Sequence, residues 1–143
     1  LILGENDIKV KRLAGKIDRV LVDAPCSGLG TLRRNPDLKW RRSPEAVVEL
    51  SAKQRAILNG AATLLKPGGR LVYATCSVLL EENQAVIEQF LDTHSNFQVV
   101  NCQEILDEQR IALESGVFLE LSPQRHDTDA FFAAVLERRP RPK

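Results

Sequence analysis

Two cysteines in this 143-residue chain stand where a side chain could do chemistry, each directly after an apolar segment. Cys26 follows the β-branched run at 17–22, and Cys76 follows the apolar run at 70–75. A thiolate is a strong nucleophile, so the two residues could be a nucleophile and its helper. They could also form a disulfide or be inert and buried, as free cysteines often are. Spacing alone leaves these alternatives open.

The residues around Cys26 favour a small ligand-binding turn. Asp23 offers a carboxylate in the same predicted cleft, and the small residues Ser27, Gly28 and Gly30 let a ligand approach the backbone closely. An aspartate that merely caps a turn is the ordinary alternative. The Gly-Leu-Gly element is not a pyrophosphate loop, because an arginine stands where a dinucleotide fingerprint needs its third glycine.

Residues 33–42, called here the basic segment, combine positive charge with the only tryptophan of the chain. Such a segment suits phosphates and a stacked base. The residues expected to make these contacts with phosphates and a base are Arg33, Arg34, Lys39, Trp40, Arg41 and Arg42. The alternative is a solvated connection with the indole inserted into the core.

Charge is distributed unevenly along the chain. Residues 1–75 carry 14 Lys and Arg against 7 Asp and Glu, whereas residues 76–143 carry 6 against 12. The basic half therefore also holds the first cysteine loop, as an anionic partner would require. His126 and Asp129 could line the same rim from a later loop, and the spacing of His, Cys, Asp and Glu predicts no metal site.

Hydrophobic periodicity predicts an alternation of strands and helices. A strand at Ile17–Val22 is followed by a helix that starts at the Ser43 cap and ends at Pro67–Gly69. Further elements are expected as a strand at 70–75, a helix at 81–93, and strands at 97–100, 117–121 and 130–137. The last two would be an antiparallel edge pair joined by the polar loop 122–129. A parallel α/β sheet then brings the loops 23–30 and 76–80 to one rim.

Composition is that of one soluble globular domain, with 43% hydrophobic and 27% charged residues. We find no apolar run long enough to cross a bilayer, and residues 1–7 lack the basic start that is typical of a signal peptide. Three cysteines without a Cys-x-x-Cys spacing favour a reducing compartment, so the cytoplasm is expected. The chain contains no Met and is expected to be cut from a longer one, with residues 1–16 as a lead-in and residues 138–143 as a frayed basic tail.

Six motifs together resemble the Sun (Fmu) family of RNA cytosine 5-methyltransferases, over the span 17–138. They are Asp-Ala-Pro-Cys-Ser-Gly at 23–28, Asn-Pro-Asp-Leu-Lys-Trp at 35–40, Leu-Lys-Pro-Gly-Gly at 65–69, Tyr-Ala-Thr-Cys-Ser at 73–77, Glu-Glu-Asn at 81–83 and Thr-Asp-Ala-Phe-Phe at 128–132. The Pro-Cys and Thr-Cys pair in this order is the most specific of them.

The resemblance implies the Rossmann-like fold of S-adenosylmethionine-dependent methyltransferases and methylation of carbon 5 of a cytosine in RNA, expected to be small-subunit ribosomal RNA. It assigns Cys76 as the nucleophile that adds to carbon 6, with Cys26 assisting the later stage of the reaction. Asp23, Ala24 and Pro25 would bind the cofactor. Asp23 would alternatively bind the base, to which Pro25 would offer its carbonyl. The RNA would contact Pro25, the basic segment and His126, and the target cytosine must be single-stranded or flipped out.

The same resemblance implies that residues 1–143 are the C-terminal part of the catalytic domain. The glycine-rich cofactor loop and the acidic ribose-binding residue of the family lie on earlier strands, which this sequence does not contain. The cofactor site is therefore expected to be incomplete, and the fragment to be inactive and to bind S-adenosylmethionine weakly. The strand at 17–22 would lie beside a missing strand, which favours a dimer, a swapped assembly or marginal stability. Ala130 stands where the family usually has glycine.

Two competing interpretations remain at this stage. The chain could be a non-catalytic RNA-binding or interaction fragment that kept the sheet. It could also be a cysteine hydrolase or thiol redox enzyme, although no histidine base stands near Cys26 and no Cys-x-x-Cys motif is present. A methyltransferase needs Cys76, an RNA platform needs neither cysteine, and a redox enzyme needs both.

Overall fold

The computed structural model describes residues 8–142, which form a mixed α/β structure. The strands are β1 (Ile17–Asp23), β2 (Leu65–Thr75), β3 (Phe97–Val100), β4 (Leu119–Leu121) and β5 (Phe131–Arg138). The α-helices are α1 (Ile8–Arg12), α2 (Leu38–Arg41), α3 (Pro44–Ala62), α4 (Gln84–Thr93), α5 (Cys102–Glu108) and α6 (Pro123–His126). Two 3₁₀ turns, Leu29–Thr31 and Leu80–Glu82, lie in the loops that follow β1 and β2.

The strands form one sheet in the order β1-β2-β5-β3, with β4 paired to β5. β1 and β2 are parallel and in register from Arg19–Arg70 to Asp23–Ala74, which confirms the predicted parallel pairing of these two strands. Because both strands run in the same direction, the loops that carry Cys26 and Cys76 leave the same edge of the sheet.

The core lies between the sheet and the helices α3 and α4. Leu71 and Tyr73 of β2, Leu58 of α3 and Ile87 of α4 are all fully buried there. α3 begins as predicted, with the Ser43 hydroxyl accepting from the amide of Ala46 at 3.2 Å and proline at the first helical position. This packing holds in place the part of the sheet from which both cysteine loops leave.

Two predicted elements are wrong in their detail. α3 ends at Ala62, five residues before Pro67, and the Pro-Gly-Gly sequence instead forms a bulge inside β2. Gly68 has φ +79° there, a conformation that favours glycine. β5 is also not an edge strand, because it pairs with β2 on one side and with β3 and β4 on the other. Local patterns could not show this order, since it depends on pairing between distant segments.

The ends of the described chain differ in part from expectation. Of the predicted lead-in, residues 1–7 lie outside the described residues, and Ile8–Arg12 form α1. At the other end, Arg138 closes β5 and the amide of Arg139 donates to the carbonyl of Asn96 at 2.8 Å. Regular pairing therefore extends two residues into the predicted tail.

Candidate active site

The two strand-end loops bring Cys26 and Cys76 into contact. Their sulfur atoms lie 3.4 Å apart, although the residues are 50 positions apart in sequence. Both thiols are free, so the pair is not a disulfide, and both side chains are partly buried. The predicted convergence is confirmed, and the contact is a hydrogen bond in which one thiol donates to the other.

Burial, together with the hydrogen bond to Cys76, raises the pKa of the Cys26 thiol from 9.0 to about 12. Cys26 therefore keeps its proton at neutral pH and is able to donate it in a hydrogen bond to Cys76, although either sulfur can be the donor at this distance. A donor beside a sulfur atom stabilises negative charge on that atom. The contact therefore allows a protonated Cys26 to stabilise a thiolate on Cys76.

A buried carboxylate accepts hydrogen bonds from both cysteine loops. Glu82 is fully buried, and its side chain accepts four hydrogen bonds. The amide and hydroxyl of Ser27 donate to it at 2.7 and 2.6 Å, and the hydroxyl of Ser77 donates to the oxygen that the Ser27 hydroxyl also contacts. Since each serine follows one of the cysteines, Glu82 fixes both cysteines relative to each other.

The network around Glu82 extends into α3 and β2. The Gln54 amide donates to Glu82 at 3.1 Å and to the carbonyl of Pro25 at 2.8 Å. The Tyr73 hydroxyl donates to the main-chain carbonyl of Glu82 at 2.6 Å, and burial raises the pKa of that phenol well above its usual value. Asn83 accepts from the Thr75 hydroxyl at 2.5 Å. Each of these side chains is buried, so the cysteine loops rest on a water-excluded polar frame.

Gly30 connects three segments at the floor of the site. Its amide donates to the carbonyl of Cys76 at 2.8 Å, and its carbonyl accepts from the amide of Ala130 at 2.9 Å. A Cβ atom at this position would lie 2.5 Å from the Ala130 oxygen and 2.6 Å from the Cys76 oxygen. Only glycine fits, which explains the small-residue turn noted in the sequence.

The predicted cofactor residues lie at the carboxyl end of β1. Asp23 is exposed, and Ala24 is buried with its amide donating to the carbonyl of Ala74 at 2.9 Å. Pro25 is exposed, and its carbonyl already accepts from Gln54. That oxygen has a second lone pair, so its predicted contact with a base stays a prediction.

The basic segment is exposed, and several of its arginines have protein partners. Arg33 pairs with Asp127 at 2.8 Å, and Arg34 pairs with Asp129 at 2.6 Å. Arg42 differs from them, because its Nε donates to the carbonyl of Ser27 at 2.9 Å. Arg42 therefore supports the Cys26 loop, while the RNA contacts predicted for all of these arginines stay predictions.

Trp40 lies on the surface rather than in the core, with 83% of its area exposed. The Lys39 ammonium lies 5.1 Å from the centre of its ring, and Arg41 pairs with Asp37 at 3.0 Å. The alternative of a buried indole is therefore wrong. An exposed ring flanked by cations leaves one face available to a nucleobase.

His126 ends the short helix α6. Its Nδ1 accepts from the amide of Ser122 at 3.0 Å, so one ring nitrogen has a local structural partner. Its predicted contact with RNA stays a prediction. Within residues 8–142, no three His, Cys, Asp or Glu side chains are grouped closely enough to hold a metal ion, and no helix could span a membrane.

The sequence did not identify Glu82 as a residue that supports the site. The Glu-Glu-Asn motif was noted, but two adjacent glutamates in a polar loop look alike until one is seen to be buried. The signal that could have found it is the serine after each cysteine, because paired hydroxyls beneath a site need a common acceptor. Nothing in the sequence predicted the role of Gln54, since it stands within an ordinary amphipathic helix.

The sheet order and the strand-end cysteine pair define a class of protein, namely Rossmann-like S-adenosylmethionine-dependent methyltransferases. NSun6 from Pyrococcus horikoshii, whose structure was determined with SFG, superposes with a TM-score of 0.75 and 27% identity. The match covers 96% of this chain and 34% of that one. A second structure, titled PH0851, superposes with a TM-score of 0.77 and 39% identity over 87% of this chain and 27% of that one.

Within this class, the chain belongs to the 16S rRNA methyltransferase RsmB/F family, whose model matches residues 2–137. The ribosomal RNA small subunit methyltransferase B of Erwinia tasmaniensis is 41% identical over 121 residues, and that of Pasteurella multocida is 42% identical over 125. These alignments cover 85% and 87% of this chain. The chain spans only 26% and 27% of the length of those two relatives.

Proposed function

We propose that the protein containing this chain methylates carbon 5 of a cytosine in RNA, with Cys76 as the nucleophile. The observation that carries the proposal is the 3.4 Å contact between two free thiols at the ends of neighbouring parallel strands. Family membership supports the reaction class, and the names of the curated relatives point to small-subunit ribosomal RNA as substrate. Residues 1–143 would be the C-terminal part of the catalytic domain, and the cytoplasm is the proposed location.

Cys76 supplies the electrons that make cytosine reactive. Its thiolate adds to carbon 6 of the ring, forming a sulfur–carbon bond and moving an electron pair toward carbon 5. After carbon 5 has gained a methyl group, its proton passes to a water molecule that acts as the base. The electron pair of that carbon–hydrogen bond restores the double bond between carbons 5 and 6, and the carbon–sulfur bond breaks with its electrons returning to Cys76.

Cys26 stabilises Cys76 on both sides of this cycle. As a protonated thiol it donates to the Cys76 sulfur, which lowers the free energy of the thiolate that attacks and of the thiolate that leaves. The effect is larger when Cys76 leaves, because a thiolate that is not stabilised adds back to carbon 6 before the product is released. Loss of Cys26 should therefore slow release of the product more than formation of the adduct.

The residues present fit one side of a site for S-adenosylmethionine. Asp23 presents an exposed carboxylate at the end of β1, and the small buried Ala24 leaves room beside it. β1 is the edge strand of the described sheet, so the end of this strand is open on one side. Asp23, Ala24 and Pro25 would hold the cofactor there, and when bound it supplies the methyl group.

The RNA is held by exposed cations and by Trp40. Arg33, Arg34 and Lys39 keep exposed nitrogen atoms that can contact phosphates, and the indole can stack on an unpaired base. His126 would add a further contact through the ring nitrogen that does not face Ser122. Because the sulfur of Cys76 lies in a partly buried cleft, the target cytosine must be unpaired or flipped out.

The test uses the intact enzyme with transcribed small-subunit ribosomal RNA and isotopically labelled S-adenosylmethionine. Nuclease digestion followed by mass spectrometry should detect labelled 5-methylcytidine with the wild type and none with Cys76→Ala. Cys102→Ala is the matched control, because this third free thiol is buried in α5 away from the cysteine pair. Label on another nucleoside, or full activity in Cys76→Ala, would overturn the proposal.

A further inference from the structure

Arg42 differs from the other arginines of the basic segment in its partner. Each of the others pairs with an aspartate, namely Arg33, Arg34 and Arg41. The Nε of Arg42 instead donates to the main-chain carbonyl of Ser27 at 2.9 Å, and within the described part of the chain its guanidinium forms no ion pair. The side chain is exposed, so its positive charge lies open to solvent beside the Cys26 loop.

Ser27 is held from two sides. Its amide and hydroxyl donate to the side chain of Glu82 at 2.7 and 2.6 Å, and its carbonyl accepts from Arg42. Because Ser27 directly follows Cys26, these contacts fix the peptide units on both sides of Ser27. Glu82 is fully buried whereas Arg42 is exposed, so a bound ligand can reach the Arg42 contact and not the Glu82 contact.

The helix α2 contacts the same loop through a second side chain. A Cβ atom at Gly28 would lie 3.4 Å from Cδ1 of Leu38, the first residue of α2. The amide of Arg42 donates to the carbonyl of Leu38 at 3.2 Å, so both residues belong to one hydrogen-bonded turn. The exposed Trp40 lies within this turn. The helix that presents Trp40 therefore packs against the turn that follows Cys26.

A guanidinium can hold two partners at once, because it carries five N–H donors in a planar fork. The contact with Ser27 uses the Nε hydrogen of Arg42, and among the described residues the Nη hydrogens have no acceptor. Phosphate oxygens accept well from such an edge. A phosphate bound there would fix the guanidinium and, through it, the carbonyl of Ser27.

We propose that Arg42 is a positioning residue that links RNA binding to Cys26. Its Nη edge binds a phosphate close to the target cytosine, and its Nε holds Ser27, which keeps the Cys26 thiol against the sulfur of Cys76. The inference rests on the proposed function, in which Cys26 stabilises the thiolate that leaves. Without Arg42 the Cys26 loop is held from one side only, so the departing thiolate is stabilised less and the product is released more slowly.

The test measures the lifetime of the covalent protein–RNA complex, using the intact enzyme and a short RNA that contains the cytosine that becomes methylated. Rapidly quenched single-turnover reactions are resolved on a denaturing gel. Arg42→Ala should lengthen the lifetime about tenfold in an otherwise wild-type enzyme, as expected for a small displacement of a reacting group. It should lengthen the lifetime less than about twofold in a Cys26→Ala enzyme, because Arg42 acts through Cys26. The same factor in both backgrounds would overturn the inference.

Arg42→Lys separates the charge from the geometry. Lysine keeps the positive charge, but its single ammonium lacks the second donor edge. The slope of log Kd for RNA against log salt concentration should fall in magnitude by about 0.7 in Arg42→Ala, which is one phosphate contact, and stay unchanged in Arg42→Lys. Both variants should lengthen the lifetime of the complex. A wild-type lifetime in Arg42→Lys would contradict the link between the two edges.

Two further variants act as controls for loss of charge. Arg41→Ala removes a charge from the neighbouring position and should weaken RNA binding without lengthening the lifetime of the complex. Lys53 is exposed on α3 outside the basic segment, so Lys53→Ala should change neither quantity. An equally long lifetime in Arg41→Ala and Arg42→Ala would reduce the effect to general electrostatics and overturn the inference.

The outcomes separate this inference from the proposed function. If the complex accumulates in Cys26→Ala while Arg42→Ala leaves its lifetime unchanged, the inference is wrong and the proposed function stands. A wild type that transfers no methyl group to RNA, or a Cys26→Ala enzyme that forms no complex, would overturn the proposed function, and this inference with it.

Discussion

The basic segment lies between the two cysteines along the chain, yet the basic segment and the cysteine pair are supported in opposite ways. Cys26 and Cys76 rest on Glu82, which is buried and accepts four hydrogen bonds. The basic segment is exposed, and the ion pairs of Arg33 and Arg34 are surface contacts. Surface ion pairs contribute about 0–1 kcal/mol each, whereas loss of a buried polar partner costs about 1–3 kcal/mol.

This difference matches what each region has to do. Covalent attack requires reacting atoms within about 0.5 Å of their productive positions, so the sulfur atoms need a rigid frame. Contacts to phosphates work at longer range and tolerate adjustment, so exposed side chains suffice. The two regions should therefore respond differently to substitution.

The largest effect is expected at Glu82. Glu82→Gln places an amide N–H₂ among four donors, so at least one buried donor loses its acceptor. We expect the free energy of unfolding to fall by about 2–4 kcal/mol and kcat to fall about 100-fold as the cysteine loops separate. Chemical denaturation and single-turnover kinetics measure these two quantities.

Glu81→Gln is the matched control, because Glu81 is exposed next to Glu82 in the same 3₁₀ turn. It should change the free energy of unfolding by less than about 0.5 kcal/mol. Equal effects of the two substitutions would contradict the role of Glu82 in holding the two cysteine loops together.

Gly30→Ala should be next in size. The new methyl group would overlap backbone atoms of Cys76 and Ala130, which cannot move aside as a flexible side chain can. We expect a loss of about 1–3 kcal/mol in thermal unfolding, accompanied by reduced activity. Gly60→Ala, in α3 where a Cβ meets nothing within 4 Å, should instead be neutral or stabilising by up to about 1 kcal/mol. Similar losses at both glycines would contradict the close approach.

Trp40→Ala tests the basic segment, the exposed region of the comparison. The indole is 83% exposed, so stability should be unchanged within about 0.5 kcal/mol. RNA affinity should fall by the amount of one base stack, about 1–3 kcal/mol, measured by fluorescence anisotropy with the intact enzyme. Trp40→Phe should restore part of the affinity. Unchanged RNA affinity in Trp40→Ala would exclude the indole from the interface.

The smallest effect concerns the proton on Cys26. Since the pKa of its thiol rises from 9.0 to about 12 in the folded state, the unfolded chain releases this proton first as pH increases. Stability from this group is therefore full below about pH 9 and is lost as pH rises toward 12. Alkylation of Cys26, followed by mass spectrometry, should accelerate between these values. A rate that levels off near pH 9 would contradict the shift.

Much of the fold that positions the site could be predicted from local patterns in the sequence. Apolar runs bounded by proline and glycine indicate β1, β2 and the loops that follow them, and parallel pairing then brings Cys26 and Cys76 together. The central position of β5 could not be predicted, because it depends on pairing over long sequence distances. The role of Glu82 was indicated only indirectly, by the serine after each cysteine, since its burial arises when both loops close over it. The exposure of Trp40 was uncertain because tryptophan is usually largely buried.

The most direct test of the account is whether a covalent complex between protein and RNA accumulates when each cysteine is replaced separately in the intact enzyme. Cys26→Ala leaves the nucleophile in place and removes the donor that stabilises the leaving thiolate, so a complex should accumulate on a denaturing gel. Cys76→Ala removes the attacking sulfur, so none should form. A complex in Cys76→Ala and not in Cys26→Ala would show that the two roles are reversed, and a complex in neither variant would contradict covalent attack.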